Sequence, residues 1–592
     1  MTQALDVVIR GGTVVDGSGG EPYRADVGIV GDTISVVGKI DDVGRVEVDA
    51  TGQFVTPGFI DPHTHYDAQV TWSHSLRPST YHGVTTVVMG NCGVGFAPCK
   101  PQHRDILVTL MEGIEDIPEI VMTEGMPWQW ETFPNYLDFI GARAFDADVA
   151  AYLPHAALRV YVMGERAKAS EKATEQDLAQ MTAIVAEAVR AGAIGVSTSR
   201  NLMHRGSDGN MAPHVQSDRD ELLALARGLK EAGRGVFQII PQMIDHAAQH
   251  QVAVEGQPQF VARELALFRE IAQTSGGPVT FSLTDAAWAP GIYTHALEES
   301  ARVNAEHGTQ IRPQIFPRPI GMLIGLDLSV HPFMYHPTYL RIKDLPVDER
   351  VAILRRPETR KQLLSEEPDT TTAGAKGAAY VSIALEGYRL GNPPRYTLGP
   401  DRSLRAEAER RNVSLFEVAL DWLLDGDGTT MYLAPGGNVG SETLENVAEM
   451  LHDPNAIVGL GDGGAHYGSV CDAGFPTTLL GYWVRDRQGE GQIPLGKAIN
   501  MLSRRNAELF GFMDRGLIAP GMRADLNIID LDRIDAQMPE VVRDLPADGR
   551  RITQRAVGYT ATMLRGTFTH RGDVPTGATP GGLVRSAFVD AL

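Results

Sequence analysis

Hydrophobic and polar residues alternate in short segments near both ends of the chain. A β-branched run at residues 6–10 is followed by similar runs broken by glycine, and the pattern returns at residues 524–530 and 560–568. Alternation with a period of two is typical of half-buried strands in antiparallel sheets. Because neither terminal segment can bury a core by itself, we predict that residues 1–55 and 515–592 pair into one small β-sandwich.

Between the two ends, strand-like and helix-like segments alternate, which favours parallel βα units. Eight apolar segments have the length of barrel strands: residues 58–61, 85–89, 158–162, 194–198, 236–240, 279–283, 310–314 and 457–461. We therefore predict the α/β class, with a (β/α)8 TIM-type barrel over residues 56–514 and the β-sandwich beside it.

Two helix starts are indicated by capping sequences. Thr174 with Asp177 predicts a helix over about residues 175–190, and Ser217 with Asp220 predicts another helix start. A separate stretch from about 331 to 440 is longer than a barrel turn needs and contains charged, helix-like segments, so we predict an inserted helical region there. Such an insertion is either a lid or a covering of the surface.

The composition excludes several classes of protein. A formal net charge of -21 over 592 residues disfavours a nucleic-acid or anionic membrane surface, because phosphate would be repelled. No run approaches the roughly 18 consecutive apolar residues of a membrane span, and no signal-peptide pattern is present. Three cysteines, Cys92, Cys99 and Cys471, provide no disulfide framework. We expect a cytoplasmic protein that acts on a small molecule, without nucleic-acid or membrane partners.

The first predicted barrel strand ends in His63-Thr64-His65. Side chains alternate along a strand, so His63 and His65 point in the same direction. Zinc and similar ions prefer imidazole nitrogen, and this spacing supplies two ligands from one rigid element. The pair therefore predicts a metal site, the alternative being two polar residues at a strand end.

Two further candidates follow predicted barrel strands. Asp462 ends the apolar strand 457–461 and precedes the small residues 463–465, which let a ligand approach the backbone. Cys92 follows the second strand, and a thiolate beside zinc would bind the ion or bridge two ions. The alternative interpretations are a turn aspartate for Asp462 and a small buried residue for Cys92.

Several runs together resemble the amidohydrolase superfamily and, within it, the N-acyl-D-amino-acid deacylases, or D-aminoacylases. The runs that carry this resemblance are residues 55–65, 82–86, 89–93, 113–118, 128–133 and 516–526. It is specific at the two ends of the chain and weak in the middle, which indicates a divergent member. The resemblance implies a metal-bearing barrel beside a composite β domain, a zinc-dependent hydrolase of non-peptide C–N bonds, and a homo-oligomer.

The resemblance also implies roles for individual residues. Asp462 matches an aspartate that ligates the metal and exchanges a proton with the attacking water, so it is predicted to be catalytic as well as a ligand. Cys92 matches a cysteine that replaces the carboxylated lysine of other superfamily members. The predicted metal ligands are therefore His63, His65, Cys92 and Asp462. His466, close to Asp462 in sequence, and Tyr335, in a proline-flanked loop of the insertion, are predicted to bind substrate.

The middle of the chain departs from the family pattern. D-aminoacylases have metal-binding histidines at the ends of the fifth and sixth strands, whereas this chain has Gln238 and Ser282 there, and neutral oxygen donors are poor zinc ligands. The arginine expected to hold a substrate carboxylate after the fifth strand is also missing. We therefore predict one zinc ion and leave a second open. Histidines that could substitute are His155, His204, His214, His246, His250 and His295.

Three functions remain open from the sequence. The first is an amide hydrolase similar to the N-acyl-amino-acid deacylases, which uses metal-activated water and Asp462 as the proton shuttle. The second is a cyclic amide, imide or hydantoin hydrolase, because the same metal chemistry serves those substrates. The third is a scaffold that kept the fold and lost the metal, which the metal content of the purified protein would distinguish.

Overall fold

A ring of parallel strands forms the centre of the computed structural model, which describes residues 4–243, 258–286, 289, 291–369, 377, 379–439 and 443–585. The barrel strands, in order, are Phe59–Asp61, Val84–Met89, Asp148–Ala151 with Leu153–Pro154, Gly195–Ser199, Val236–Ile240, Val279–Leu283, Ile311–Ile315 and Ile457–Val458. Neighbouring strands pair in parallel within two segments, from the first to the third and from the third to the eighth. The predicted α/β TIM-type barrel is confirmed.

The first and eighth barrel strands are joined by a side chain and by loop backbone. The amide nitrogen of Asn506 donates to the carbonyl oxygens of Ile60 and Val458, at 2.9 Å each. Beyond the strand ends, the backbone nitrogen of Asp462 donates to the carbonyl of His63 at 3.1 Å. The ring is therefore held closed next to the residues that the sequence marks as metal ligands.

The third predicted strand, at 158–162, is wrong. These residues belong to the helix His155–Met163, and the third strand is formed by Asp148–Ala151 and its short continuation. The β-branched residues of the segment favour a strand. However, Leu158 and Val160 are both buried on this helix, and tertiary burial commonly overrides a local preference of this size.

The helix Glu175–Ala191 begins at Thr174, as predicted. The Thr174 hydroxyl accepts from the backbone nitrogen of Asp177, and the Asp177 carboxylate accepts from the backbone nitrogen of Thr174. The other helices of the barrel region include Arg104–Glu115, Glu119–Gly125, Phe133–Gly141, Pro258–Ser275, Ile292–His307, Glu445–His452, Leu495–Leu502 and Arg504–Phe510.

The helix Arg219–Ala232 begins at a different cap from the predicted one. Asp218, rather than Ser217, accepts from the backbone nitrogen of Glu221 at 3.0 Å. The Ser217 hydroxyl instead donates to the Glu221 carboxylate at 2.8 Å. The prediction was wrong by one residue because serine and aspartate are both good N-caps, and only one of them has the required backbone position.

Both ends of the chain contribute to the β-sandwich. One sheet contains Val7–Arg10, Asp26–Val30, Thr33–Gly38 and Val46–Asp49. The other contains Thr13–Val14, Tyr23–Arg24, Phe54–Pro57, Leu526–Ile529, Tyr559–Leu564, Thr567–Arg571 and Val574–Pro575. Phe54–Pro57 pairs antiparallel with Leu526–Ile529, which confirms that the termini share one sandwich. The run at 560–568 is a hairpin that turns at Arg565 and Gly566 rather than one strand.

A buried carboxylate connects the barrel to this sandwich. Asp148, on the third barrel strand, is fully buried and lies within 2.9 Å of guanidinium nitrogens of Arg515, Arg523 and Arg565. Near it, the backbone nitrogen of Val584 donates to the carbonyl of Val149 at 2.7 Å. The end of the described chain therefore lies against the barrel.

The stretch after the seventh barrel strand contains a sheet as well as helices. Its helices include Pro337–Leu340, Val347–Leu354, Pro357–Ser365, Leu404–Arg411 and Leu415–Leu423. Ile320–Ile324, Tyr388–Arg389 and Tyr432–Gly437 form a three-stranded antiparallel sheet. This region packs around a core of its own that includes Phe333 and Trp422. Over the whole of the described chain, no helix combines the length and apolar character that crossing a membrane requires.

Candidate metal centre

Four predicted ligands from three barrel strands meet at one point. The Cys92 Sγ lies 3.4 Å from the His63 Nε2 and 3.7 Å from the His65 Nε2. The Asp462 Oδ1 lies 3.5 Å from the His63 Nε2 and 3.7 Å from the His65 Nε2. His63 and His65 follow the first strand, Cys92 the second and Asp462 the eighth, so all four lie at the C-terminal edge of the barrel, where TIM-barrel sites are found.

The distances from the two histidines to Cys92 and to Asp462 fit zinc coordination. Zinc binds nitrogen and oxygen at about 2.0–2.2 Å and thiolate sulfur at about 2.3 Å, so its ligand atoms in a tetrahedron lie about 3.3–3.6 Å apart. The measured distances of 3.4–3.7 Å agree with these values. Two imidazoles, one thiol and one carboxylate are also the donor types that zinc prefers. The residues present therefore fit this metal.

Neutral side chains of two barrel strands and of one loop contact the predicted ligands and fix their positions. The Gln314 Oε1 lies 2.8 Å from the His63 Nδ1, which leaves Nε2 directed at the other ligands. The Gln238 Oε1 accepts from the backbone nitrogen of Cys92 at 3.1 Å. The His214 Nε2 lies 3.1 Å from the carbonyl of Cys92. Gln238 thus positions Cys92 from the fifth strand, at the place where the sequence has no ligand histidine.

Burial disfavours the charged form of every ligand. It lowers the pKa of His63 to about 4 and that of His65 well below its usual value, so both imidazoles are neutral near pH 7. Burial, together with neighbouring carboxylates, raises the pKa of the Cys92 thiol and of Asp462 well above their usual values. A cation at this point would stabilise the thiolate and the carboxylate, so binding would release protons.

The structure adds one acidic residue that the sequence interpretation did not select. Glu115 is buried at the end of its helix, with Oε1 3.5 Å from the His65 Nδ1 and Oε2 3.6 Å from the His466 Nε2. Burial and the nearby Asp67 raise the pKa of Glu115 to about 8. Glu115 lies within the run 113–118 that resembles the D-aminoacylases, which was the available signal.

The two predicted substrate-binding residues have different positions. His466 lines the cavity above the four ligands and has a left-handed backbone, with φ of 53°. Tyr335 lies half-buried in the insertion and is not among the described residues that line the cavity. Gly464 packs so closely on the His65 backbone that a Cβ atom would lie 2.8 Å from its carbonyl, so the small residues after Asp462 allow the loop to approach His65.

The alternative histidines are mostly engaged elsewhere. His155 contacts Thr198 and Glu221 at 2.8 and 2.9 Å, and His295 is exposed. His204 lines the cavity, and burial lowers its pKa to about 4. His246 and His250 lie outside the described residues. Among the residues that the structure describes, the cluster with metal-ligand spacing is His63, His65 and Cys92, beside which Asp462 lies.

A cavity of about 370 Å³ opens onto the four ligands. Its walls come from the C-terminal ends of barrel strands and from the start of the insertion. The other described residues that line it are Ile114, Glu115, Asn201, His204, Ile240, Pro241, Met243, Ser282, Leu283, Thr284, Ile292, Ile320, Leu460, His466 and Asp472. A concave, largely apolar space with convergent polar groups is typical of a small-molecule site.

The fold and the site define a TIM-type barrel with a cluster of metal-ligand side chains at the C-terminal ends of its strands. The sequence profile of an amidohydrolase family matches residues 46–570. The chain therefore belongs to the amidohydrolase family.

Some relatives align with nearly the whole chain, and others align with less than half of it. An uncharacterized protein of Mycobacterium tuberculosis is 28% identical over 593 residues, covering 96% of this chain and 92% of the relative. A D-aminoacylase of Alcaligenes xylosoxydans xylosoxydans is 32% identical over 278 residues, covering 44% of this chain and 53% of the relative. The resemblance to the D-aminoacylases as a divergent member is confirmed.

Solved structures of the same family share the fold. A crystal structure of D-aminoacylase aligns with a TM-score of 0.63 at 21% identity, covering 98% of this chain and 99% of that one. The N-acyl-D-glutamate deacylase of Bordetella bronchiseptica, solved with zinc and a phosphonate inhibitor, aligns with a TM-score of 0.63 at 21% identity. That alignment covers 98% of this chain and all of the deacylase chain.

Proposed function

We propose that this chain is a zinc-dependent hydrolase of an amide C–N bond outside peptide linkages, similar to the N-acyl-amino-acid deacylases. The observation that carries this proposal is that the Cys92 Sγ and the Asp462 Oδ1 each lie 3.4–3.7 Å from the Nε2 atoms of both His63 and His65 at the floor of the cavity. Membership of the amidohydrolase family and the shared fold of a zinc-containing deacylase support it. One ion is proposed, held by His63, His65, Cys92 and Asp462.

A zinc ion held there would polarise an amide carbonyl and lower the pKa of a water molecule to about 7. Asp462 lies at the cavity surface, where it can accept the proton of the attacking water. Once the C–O bond has formed, Asp462 delivers that proton to the departing nitrogen, and the C–N bond breaks. His466 and Glu115 face each other across 3.6 Å beside this point and are positioned to hold the substrate polar groups.

The substrate partner is proposed to be a small molecule, because the site is a cavity of about 370 Å³. A cytoplasmic homo-oligomer is also proposed. Three cysteines without a disulfide support a reducing compartment. Light scattering of the purified protein would measure the assembly, and a monomer at all concentrations would contradict that part of the proposal.

Metal analysis tests the proposed function. Purified protein, reloaded with zinc and dialysed, is expected to retain about one equivalent and to release acid or amine from a panel of N-acyl amino acids and acyl amides. His63→Ala should lose zinc, and Asp462→Asn should lose activity. His295 is an exposed histidine, so His295→Ala should keep both zinc and activity.

Each other outcome is informative. About two equivalents of zinc would mean that a residue such as His204 completes a second site. No zinc under replete conditions, together with no hydrolysis, would overturn the hydrolase and favour a scaffold. Hydrolysis of cyclic amides alone would identify cyclic amides, rather than N-acyl compounds, as the substrate class.

A further inference from the structure

The described part of the cavity wall lacks lysine and arginine side chains. None of the described residues that line it is Lys or Arg. Outside the described residues, the sequence contains a single Lys or Arg, Lys376. A substrate carboxylate entering the cavity would therefore meet no guanidinium or ammonium group within the described wall.

Two arginines next to wall residues, Arg200 beside Asn201 and Arg318 beside Asp472, are engaged in ion pairs with buried carboxylates. Arg200 follows the fourth barrel strand, and its Nε donates to the fully buried Glu264 at 2.9 Å. Arg318 is buried behind Asp472 and donates to its carboxylate at 2.8 Å. Freeing either arginine for a substrate would leave a buried carboxylate without its partner, which costs several kcal/mol.

Acidic groups line the cavity instead. Glu115, Asp462 and Asp472 all border it. The charge of a zinc ion would already be balanced by the Cys92 thiolate and the Asp462 carboxylate. An added substrate carboxylate would be taken out of water into a space whose described residues offer no lysine or arginine to pair with it, an arrangement that buried charges avoid.

The rest of the wall matches an apolar, neutral group. The apolar residues on it are Ile114, Ile240, Pro241, Met243, Leu283, Ile292, Ile320 and Leu460. Beside them, the hydroxyl oxygen of Ser282 is buried and has no hydrogen-bond partner among the described residues. A buried hydroxyl without a partner is costly unless a ligand or water satisfies it. It is a neutral group, able to donate to or accept from an uncharged polar atom.

We propose that the substrate is an uncharged amide with an apolar substituent, whose neutral polar group meets Ser282, rather than an N-acyl amino acid with a free carboxylate. This inference rests on the proposed hydrolase function. Apolar contact with the isoleucine-rich wall would provide binding energy, and the missing cation would exclude carboxylates.

Matched compound pairs test the charge preference. N-acetylmethionine and N-acetylmethioninamide, in both enantiomers, differ mainly in the negative charge. Acetate release by the zinc-loaded enzyme should show a kcat/KM at least about tenfold higher for the amide, because an unpaired buried charge costs more than 1.4 kcal/mol. The sulfonamide analogues N-methanesulfonylmethionine and N-methanesulfonylmethioninamide have no amide bond at the acyl position, and their calorimetric Kd values for the zinc-loaded wild-type enzyme should show the same order without hydrolysis.

The two measurements separate the two proposals. Hydrolysis of the carboxylate as fast as the amide would overturn the charge inference and leave the hydrolase intact. Tighter binding of the amide without hydrolysis of either compound would overturn the hydrolase and support the charge inference. Binding of neither compound, in either enantiomer, would overturn the charge inference as stated.

An added cation should reverse the preference. Ile320→Arg places a guanidinium on the apolar wall, with Ile320→Met as a control of similar length. The arginine variant is expected to raise the carboxylate-to-amide ratio of kcat/KM by at least about tenfold relative to the methionine variant. An unchanged ratio in a folded, zinc-loaded Ile320→Arg protein would contradict the inference. Ser282→Ala should weaken binding of the amide by roughly 3- to 10-fold while zinc content stays the same.

Discussion

The Gln314 carboxamide oxygen lies 2.8 Å from the Nδ1 of His63, and both side chains are buried. Nδ1 therefore carries the proton, and the lone pair of Nε2 is directed at the Cys92 and Asp462 side chains. The seventh barrel strand thus sets the tautomer and the ring orientation of His63, a proposed ligand that follows the first strand.

Replacing Gln314 by leucine should weaken zinc binding. The substitution keeps the side-chain size but removes the acceptor for Nδ1–H, and loss of such a partner typically costs about 10- to 100-fold in metal affinity. Competition with a chromogenic chelator measures this affinity. Gln314→Glu keeps an acceptor and should retain most of the zinc affinity. Equal zinc affinities for Gln314→Leu and wild type would contradict the role assigned to Gln314.

The three buried cysteines permit a matched test of the thiol ligand. Cys92→Ser should reduce the zinc retained after dialysis to well below half an equivalent, because a serine hydroxyl stays protonated and is a poor zinc ligand. Cys99→Ser should retain zinc like wild type, since Cys99 lies outside the cluster. Full retention by Cys92→Ser would remove Cys92 from the ligand set.

Removal of the Asp148 carboxylate should destabilise the junction of barrel and sandwich. Asp148→Asn leaves the guanidinium groups of Arg515, Arg523 and Arg565 without their shared counter-ion, and breaking a buried pair typically costs about 3–5 kcal/mol. A lower urea midpoint, followed by circular dichroism, would report this loss. Asp514→Asn is the control, because Asp514 is half-exposed and should cost less than about 1 kcal/mol. Equal urea midpoints for the two variants would contradict the stabilising role of Asp148 at the junction.

Acid stability should depend on Glu221. Burial alone would raise the pKa of Glu221, but its contacts with His155, Arg159 and Ser217 outweigh burial and hold the pKa at about 2, below its ordinary value of 4.5. A depressed carboxylate pKa stabilises the folded state above the unfolded-state pKa, and this contribution disappears as the pH falls through the folded-state value.

The free energy of unfolding attributable to Glu221 should therefore fall between about pH 4.5 and pH 2. The urea midpoint of wild type should decrease over this range more steeply than that of Glu221→Gln. Parallel pH profiles for the two proteins would show that Glu221 is not titrating as described. Glu270→Gln, at a partly exposed ion pair, is a suitable control.

The parts of the fold that could be predicted are those with a strong local pattern. His63 and His65 share a face because strand geometry requires it, and the helix after Thr174 has a complete capping box. The third barrel strand was misplaced because its Asp148–Ala151 segment is short, whereas the β-branched residues of the next helix imitate a strand. Local propensity contains no information about which segment the barrel will bury.

The site could be predicted only where residues follow a strand directly. Glu115 was missed because it ends a helix, and its approach to His65 depends on how that helix packs. Tyr335 was selected for its prolines and aromatic neighbours, yet it lies away from the cavity lining that the structure describes. The positioning role of Gln238 depends on a contact between the fifth barrel strand and the segment after the second strand, which no sequence spacing shows.

The closing hydrogen bonds of Asn506 have a consequence for biosynthesis. They join the first and the eighth barrel strands, which are synthesised at opposite ends of the barrel sequence. The proposed ligands His63 and Asp462 follow those same two strands, so the proposed metal site cannot form until most of the chain has left the ribosome. Zinc uptake would then mark the completion of folding, and nascent or truncated chains would compete poorly for the ion.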